Sequence, residues 1–167
     1  MATRQAFADV EVKYPSPGVW KLDPAHSSVD FTARHLMVTK VRGRFRIFDG
    51  SITIAEDIGE SKAEAVIDAS SIDTNQADRD GHLKSPDFLD VEKWAELRFN
   101  TTSLERVDDH RWVAKGELTI RDITRPIELD VQFGGVGAGP KGEVLFLSAS
   151  AEINREPCST SCPSPRD

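Results

Sequence analysis

A chain of 167 residues with 38% hydrophobic and 29% charged side chains has the size and composition of one soluble globular domain. That length buries a core without help from a metal or a disulfide. The net charge of −7 opposes binding to phosphate backbones, and no apolar run reaches the roughly 18 residues that a membrane-crossing helix needs, so neither nucleic-acid binding nor a membrane span is expected.

The first ten residues carry one early cation and no continuous apolar stretch, which is not the pattern of a secretory signal; a cytoplasmic location is the expectation. Tyr14-Pro15-Ser16-Pro17-Gly18 breaks regular structure, so residues 1–17 are predicted to form a lead-in segment. Asp23, His26 and Ser27 or Ser28 supply the residue types of a hydrolytic triad. Residues so close in sequence rarely align as nucleophile, base and orienter, and an Asp-Pro turn is the simpler reading.

Two-residue alternation then dominates. Val29, Phe31, Ala33 and His35 alternate with Ser28, Asp30, Thr32 and Arg34, as in a half-buried strand. Lys40, Arg42, Arg44 and Arg46 fit the solvated face of the next strand. Phe45 and Ile47 sit at odd positions and Ile52 and Ile54 at even ones, with Asp49-Gly50 between them. A hairpin turn or a bulge explains that switch, and a long bent strand fits better because hairpin arms would be short.

Residues 75–96 interrupt the pattern. Asp78 to Leu83 is predicted as a helical turn, and Ser85-Pro86-Asp87 as a cap with proline at the first helical position, carrying Phe88, Val91 and Trp94 on one side. Leu97 and Phe99 begin another strand, and Ile127, Leu129, Val131 and Phe133 give the clearest alternation in the chain. Gly134 to Gly139 lacks the G-x-G-x-x-G spacing of a nucleotide cradle and reads as a flexible hairpin loop before a last strand from Leu145 to Ile153. Glu156 to Asp167 holds three prolines and no aliphatic side chain, so residues 156–167 cannot add a core strand. Cys158 and Cys162, with no histidine nearby, complete no zinc site, and neither a metal nor another cofactor is expected. The whole pattern predicts a mainly β protein, an antiparallel barrel with a short helical insertion, over residues 18–155.

The candidate chemistry is sparse. His35 shares the inward parity of Phe31. Arg79, Asp80 and His82 gather a cation, a carboxylate and an imidazole on the insertion, as an ion-paired cap or as a polar ligand contact. The inward-looking apolar set is Phe31, Phe45, Ile47, Phe99, Ile120, Leu129, Val131 and Phe133, which either fills the barrel or lines a cavity for one small ligand.

Several segments in order resemble the YceI-like family: residues 19–31 (VWKLDPAHSSVDF), 33–38 (ARHLMV), 41–45 (VRGRF), 71–74 (SIDT), 79–88 (RDGHLKSPDF), 116–126 (GELTIRDITRP) and 153–155 (INR). The resemblance implies an extended lipocalin-like antiparallel β-barrel whose apolar tunnel binds a polyisoprenoid, a quinone-like molecule or another long-chain lipid without catalysis. The eight inward apolar residues would then line the tunnel, and His35, Arg79, Asp80 and His82 would stand near the head group at its mouth. Relatives usually follow the Asn-Arg pair with Asp-Phe-Gly and a final strand, whereas Glu156-Pro157-Cys158 follows here. A missing strand would leave an open edge through which a homodimer or another partner could pair. The competing expectations are a hydrolase acting on an amphiphile through His35, His82 and Asp80, and an interaction module using that open edge.

Overall fold

The computed structural model describes residues 13–35 and 39–153, with the side chain of His35 outside that description. Its strands are β1 (Gly18–Lys21), β2 (Val29–His35), β3 (Thr39–Phe45), β4 (Phe48–Ile54), β5 (Lys62–Asp68), β6 (Ile72–Asp73), β7 (Glu96–Arg106), β8 (Arg111–Ile120), β9 (Ile123–Gly139) and β10 (Gly142–Ser150). One α-helix, α1 (Ala77–Lys84), lies between β6 and β7. Seven strands form one antiparallel sheet in the order β1-β4-β5-β7-β8-β9-β10, and β2-β3-β6 form a second. The sheets curl into a nearly closed barrel. Among the described residues β10 pairs only with β9 and β2 only with β3, so each leaves one edge outside any ladder.

The parity switch after Phe45 has a clear cause. Phe45 ends β3 in the small sheet and Phe48 begins β4 in the large one, and both are buried. Arg46 and Ile47 form the corner between them, where Arg46 Nε donates to Asp73 at 2.6 Å and the Ile47 carbonyl accepts from the Asp68 N–H. The strand is therefore bent, as expected, but two residues before Asp49-Gly50, which lies inside β4. Ile47 is 61% exposed at this corner and does not line the interior, because the extra corner residue turns its side chain outward.

Two further expectations are corrected. Ser85-Pro86-Asp87 starts no helix; Ser85 ends α1, its N–H and its hydroxyl both donating to the His82 carbonyl. Gly134 to Gly139 is not a loop but the second half of β9, paired with β10 through a bulge at Phe146/Leu147. The Phe146 ring lies along these glycines, where a Cβ at Gly137 would stand 3.1 Å from its Cε2. Phe146 remains 56% exposed, and Val144 and Leu147 of the same edge strand are exposed as well.

One end of the barrel holds the densest core. Phe45, Ala69, Ile72 and Leu97 form a buried cluster, and Leu83 of α1 with Leu89 and Val91 roofs it beside Ile120. The insertion is therefore a lid of apolar side chains on the barrel end formed by the β8–β9 turn. At the opposite end, Tyr14 from the lead-in stacks on Phe133 at 5.7 Å between ring centroids and meets Trp112 edge-on at 6.3 Å.

Candidate functional site: the barrel interior

Register decides which side chains face inward. Trp112 opposes Val131, Ala114 opposes Leu129, Gly116 opposes Ile127 and Leu118 opposes Arg125, and directly opposed residues share a face. Phe99 opposes Leu118, and Phe133 opposes Leu147. Phe45, Phe99 and Phe133 are buried, while Phe31, Ile120, Leu129 and Val131 are half-buried.

Two aromatic rings lie flat against the wall because glycines sit beneath them. Phe31 crosses Gly43, its β2–β3 partner, and a Cβ there would overlap the ring tip and stand 2.9 Å from the Thr74 methyl. Phe99 covers Gly116, where a Cβ would overlap the Asn100 carbonyl oxygen and stand 2.8 Å from Phe99 Cε2. Glycine costs strand stability through entropy, yet at these positions it lets a ring recline along the wall. Phe31 also contacts Phe45 at 5.6 Å between centroids.

The interior side chains keep some residual exposure. Among the described residues no large side chain is fully buried, although a close-packed core of this size would enclose several. A shallow, open surface depression of about 640 Å³ lies at the Tyr14 end, lined by Tyr14, Glu56, Asp57, Ile58, Leu104, Arg106 and Trp112 among others. The Arg106 guanidinium sits 6.0 Å over the Tyr14 ring and pairs with Asp109.

The polar residues of the insertion are engaged locally. Asp80 Oδ1 accepts from the Thr74 N–H at 2.8 Å and from its hydroxyl at 2.5 Å. Arg79 donates through Nε to Thr74 Oγ1 and through a terminal nitrogen to the Thr74 carbonyl, each at 2.8 Å. Thr74 is only 4% exposed, so this network ties α1 to the end of β6, and Arg79 and Asp80 act as a structural clasp. His82 is exposed, meets the Phe88 ring edge-on at 4.8 Å, and has Asp87 at 3.6 Å as its nearest carboxylate. His82 and Asp80 therefore form no pair for acid–base catalysis. The expectation on the His35 side chain lies outside the described residues. Asp23 accepts from His26 at 2.8 Å and from the Ala25 N–H, contacts that lower its carboxyl below the usual value, and all of these groups are exposed. Ser28 bonds instead to Asp30, so the turn reading describes this segment and the triad does not form.

Two interior features escaped sequence reasoning. Tyr14 covers the Phe133 end from outside the barrel strands, a contact that no local pattern announces. Arg125 lies on the same inward face as Ile127 and Leu129, a parity that could have been read by extending the alternation back across Pro126.

A barrel-shaped antiparallel sheet, roofed by a helical insertion and loosely filled by aromatic and aliphatic side chains, defines a lipocalin-like class of protein. The chain belongs to the YceI-like domain family, whose model matches residues 20–159. It is 37% identical over 119 residues to a UPF0312 protein of Vibrio campbellii, covering 71% of this chain and 63% of that protein, so it spans less than two-thirds of that relative's length. Among solved structures it is similar to the Campylobacter jejuni YCEI protein, with a TM-score of 0.59, 24% identity, and coverage of 81% of this chain and 98% of the other. It is similar in fold, at a TM-score of 0.52 and 17% identity over 70% of this chain and 68% of the other, to a domain from Saccharophagus degradans described as polyisoprenoid binding.

Proposed function

We propose that this protein binds a long apolar lipid of polyisoprenoid or quinone-like type in the barrel interior, storing or carrying it without catalysing a reaction on it. The observation that carries the reading is the loosely filled interior: inward-facing Phe31, Ile120, Leu129 and Val131 stay half-buried, and rings recline on glycines instead of plugging the lumen. The description of the Saccharophagus domain supports the choice of lipid class.

The physics is that of transfer from water. Each buried CH₂ of a prenyl tail contributes about 0.8 kcal/mol, so a wall of Phe45, Phe99, Leu129, Val131 and Phe133 holds a tail with few polar contacts. From Arg125 to Phe133 the inward face of β9 spans eight residue steps, about 26 Å at strand rise, which suits an extended chain better than a compact ligand. The family's binding character and the absence of a convergent nucleophile and base among the described residues support a carrier over a hydrolase.

The test is native mass spectrometry and solvent extraction of the purified protein, followed by thermal denaturation with added prenyl alcohol. A bound amphiphile, or a rise in melting temperature that grows with lipid concentration, is expected. No bound amphiphile and no shift with any prenyl lipid would overturn the proposal.

A further inference from the structure

The outer face of the β2–β3 ladder is charged in a way that folding alone does not favour. Arg34, Lys40, Arg42 and Arg44 are exposed there, opposite in parity to the inward Phe31, Ala33, Val41 and Phe45. Arg34 stands directly across the ladder from Lys40, and Thr32 stands across from Arg42. Like charges opposed at this separation destabilise a strand pair. Alternate residues of β3 bring Lys40, Arg42 and Arg44 into one row, spaced about 7 Å apart along the strand.

Carboxylates offset only one end of this row. Arg46, at the corner after β3, pairs with Asp73, and Arg44 stands across its two ladders from Asp30 and Asp73. Asp30 in turn accepts from the Ser28 hydroxyl. The side chains of Arg34, Lys40 and Arg42 form no ion pair among the described residues. Five cations thus share one side of the barrel with two carboxylates, in a chain whose net charge is −7. β6 pairs with β3 only at Arg44 and Phe45, and β2 pairs with β3 alone, so the Arg34–Lys40–Arg42 end lies open to approach.

A cationic face on an otherwise acidic protein orients the whole molecule in the field of a negative surface. We propose that this face docks the protein on an anionic phospholipid bilayer, with Arg34, Lys40 and Arg42 against the phosphate groups and the acidic remainder turned to water. Each basic side chain near such a leaflet strengthens attachment about fivefold. Three of them give a weak, reversible contact, which suits a carrier that collects and delivers cargo. The choice of a bilayer over another polyanion rests on the lipid-carrying reading, because an apolar cargo must leave and enter a membrane. The outward positions of β2 and β3 also hold no aromatic ring on which a nucleic-acid base could stack.

The test is flotation of the protein, with no prenyl lipid added, on vesicles of phosphatidylcholine alone or with about one-third phosphatidylglycerol. Binding to the anionic vesicles is expected to exceed binding to the neutral ones about tenfold or more, and to weaken in high salt. The triple variant Arg34→Gln, Lys40→Gln, Arg42→Gln should fall to the level of the neutral vesicles. A control triple variant, Lys62→Gln, Lys93→Gln, Lys141→Gln, makes the same change in net charge at exposed positions on other elements. It should bind within about twofold of the native protein, because distant charges are screened. If the first triple variant fails to fold, Arg42→Glu decides, with an expected loss of about tenfold. Equal binding to both vesicle types, equal losses in the two triple variants, or retention by duplex DNA without preference for anionic vesicles would overturn the proposal. Absent docking with prenyl-alcohol binding intact refutes this face alone. Docking without prenyl binding refutes the carrier reading and leaves the membrane contact standing.

Discussion

Replacing Gly116 by alanine pushes a methyl group into space already held by the Asn100 carbonyl oxygen and the Phe99 ring. In an open strand the same substitution would stabilise by roughly 0.5–1 kcal/mol, because glycine gives up more chain entropy on folding. Here the nearest obstacle is backbone that two β-ladders hold on either side, so β7 cannot retreat cheaply. Overpacking of this kind costs about 1–3 kcal/mol, which for a domain of this size lowers the melting temperature by roughly 2–12 °C. Gly43→Ala is the informative partner, because its obstacles are the tip of the Phe31 ring and the Thr74 methyl, both side-chain atoms. The ring can rotate off the wall, so the stability loss should be smaller, about 1 kcal/mol or less, while the displaced ring obstructs the lumen. Thermal unfolding followed by circular dichroism reads the first effect, and prenyl-lipid titration reads the second. A Gly116→Ala variant as stable as the native protein, or a folded Gly43→Ala variant with native lipid affinity, would refute the claim that reclining rings keep the interior open.

Thr74→Val keeps the side-chain shape but strips Arg79 and Asp80 of their shared hydroxyl; a loss of about 1–3 kcal/mol is expected, with hydrogen exchange showing α1 amides losing protection before the barrel strands. Phe45→Asp or Phe133→Asp should weaken lipid binding far more than Lys40→Asp, because Lys40 is exposed on β3; equal affinities across these variants would count against an interior site. The Asn75 N–H and then Arg46 hold the Asp73 carboxyl below its usual 3.8, so the folded state binds this proton less readily than the unfolded chain. Its stabilisation is present above pH 3.8 and disappears as pH falls through the lower folded value, and denaturant unfolding of Asp73→Asn should show a flatter acid limb than the native protein.

What could be read from the chain followed the distance over which each signal acts. Alternation at Val29–His35 and Ile127–Phe133 located β2 and the middle of β9, because a strand with one face inward writes its period into neighbouring residues. The bend after Phe45 was legible as a parity change, but Asp49-Gly50 drew attention from its position; ladder pairing of β4 with β5 overrides that local turn preference. The same override makes strand of Gly134 to Gly139, where β10 supplies the pairing and Phe146 covers the glycines. Ser85-Pro86-Asp87 carries a start signal that the end of α1 uses as a stop. The inward apolar residues were legible by parity, apart from Ile47 at the corner. The clasp of Arg79 and Asp80 on Thr74, the rings of Phe31 and Phe99 over Gly43 and Gly116, and Tyr14 over Phe133 depend on register between distant segments, which no single window contains. Arg125 shares the inward parity of Ile127 and Leu129, but the alternation read from the sequence began at Ile127.

The most direct test of a hollow, lipid-receiving barrel is a crystal structure of the protein after loading with a long prenyl lipid. The account predicts elongated density inside the wall, in contact with Phe99, Leu129, Val131 and Phe133. An interior closed by its own rearranged side chains, with lipid absent or lying only on the outer surface, would contradict it.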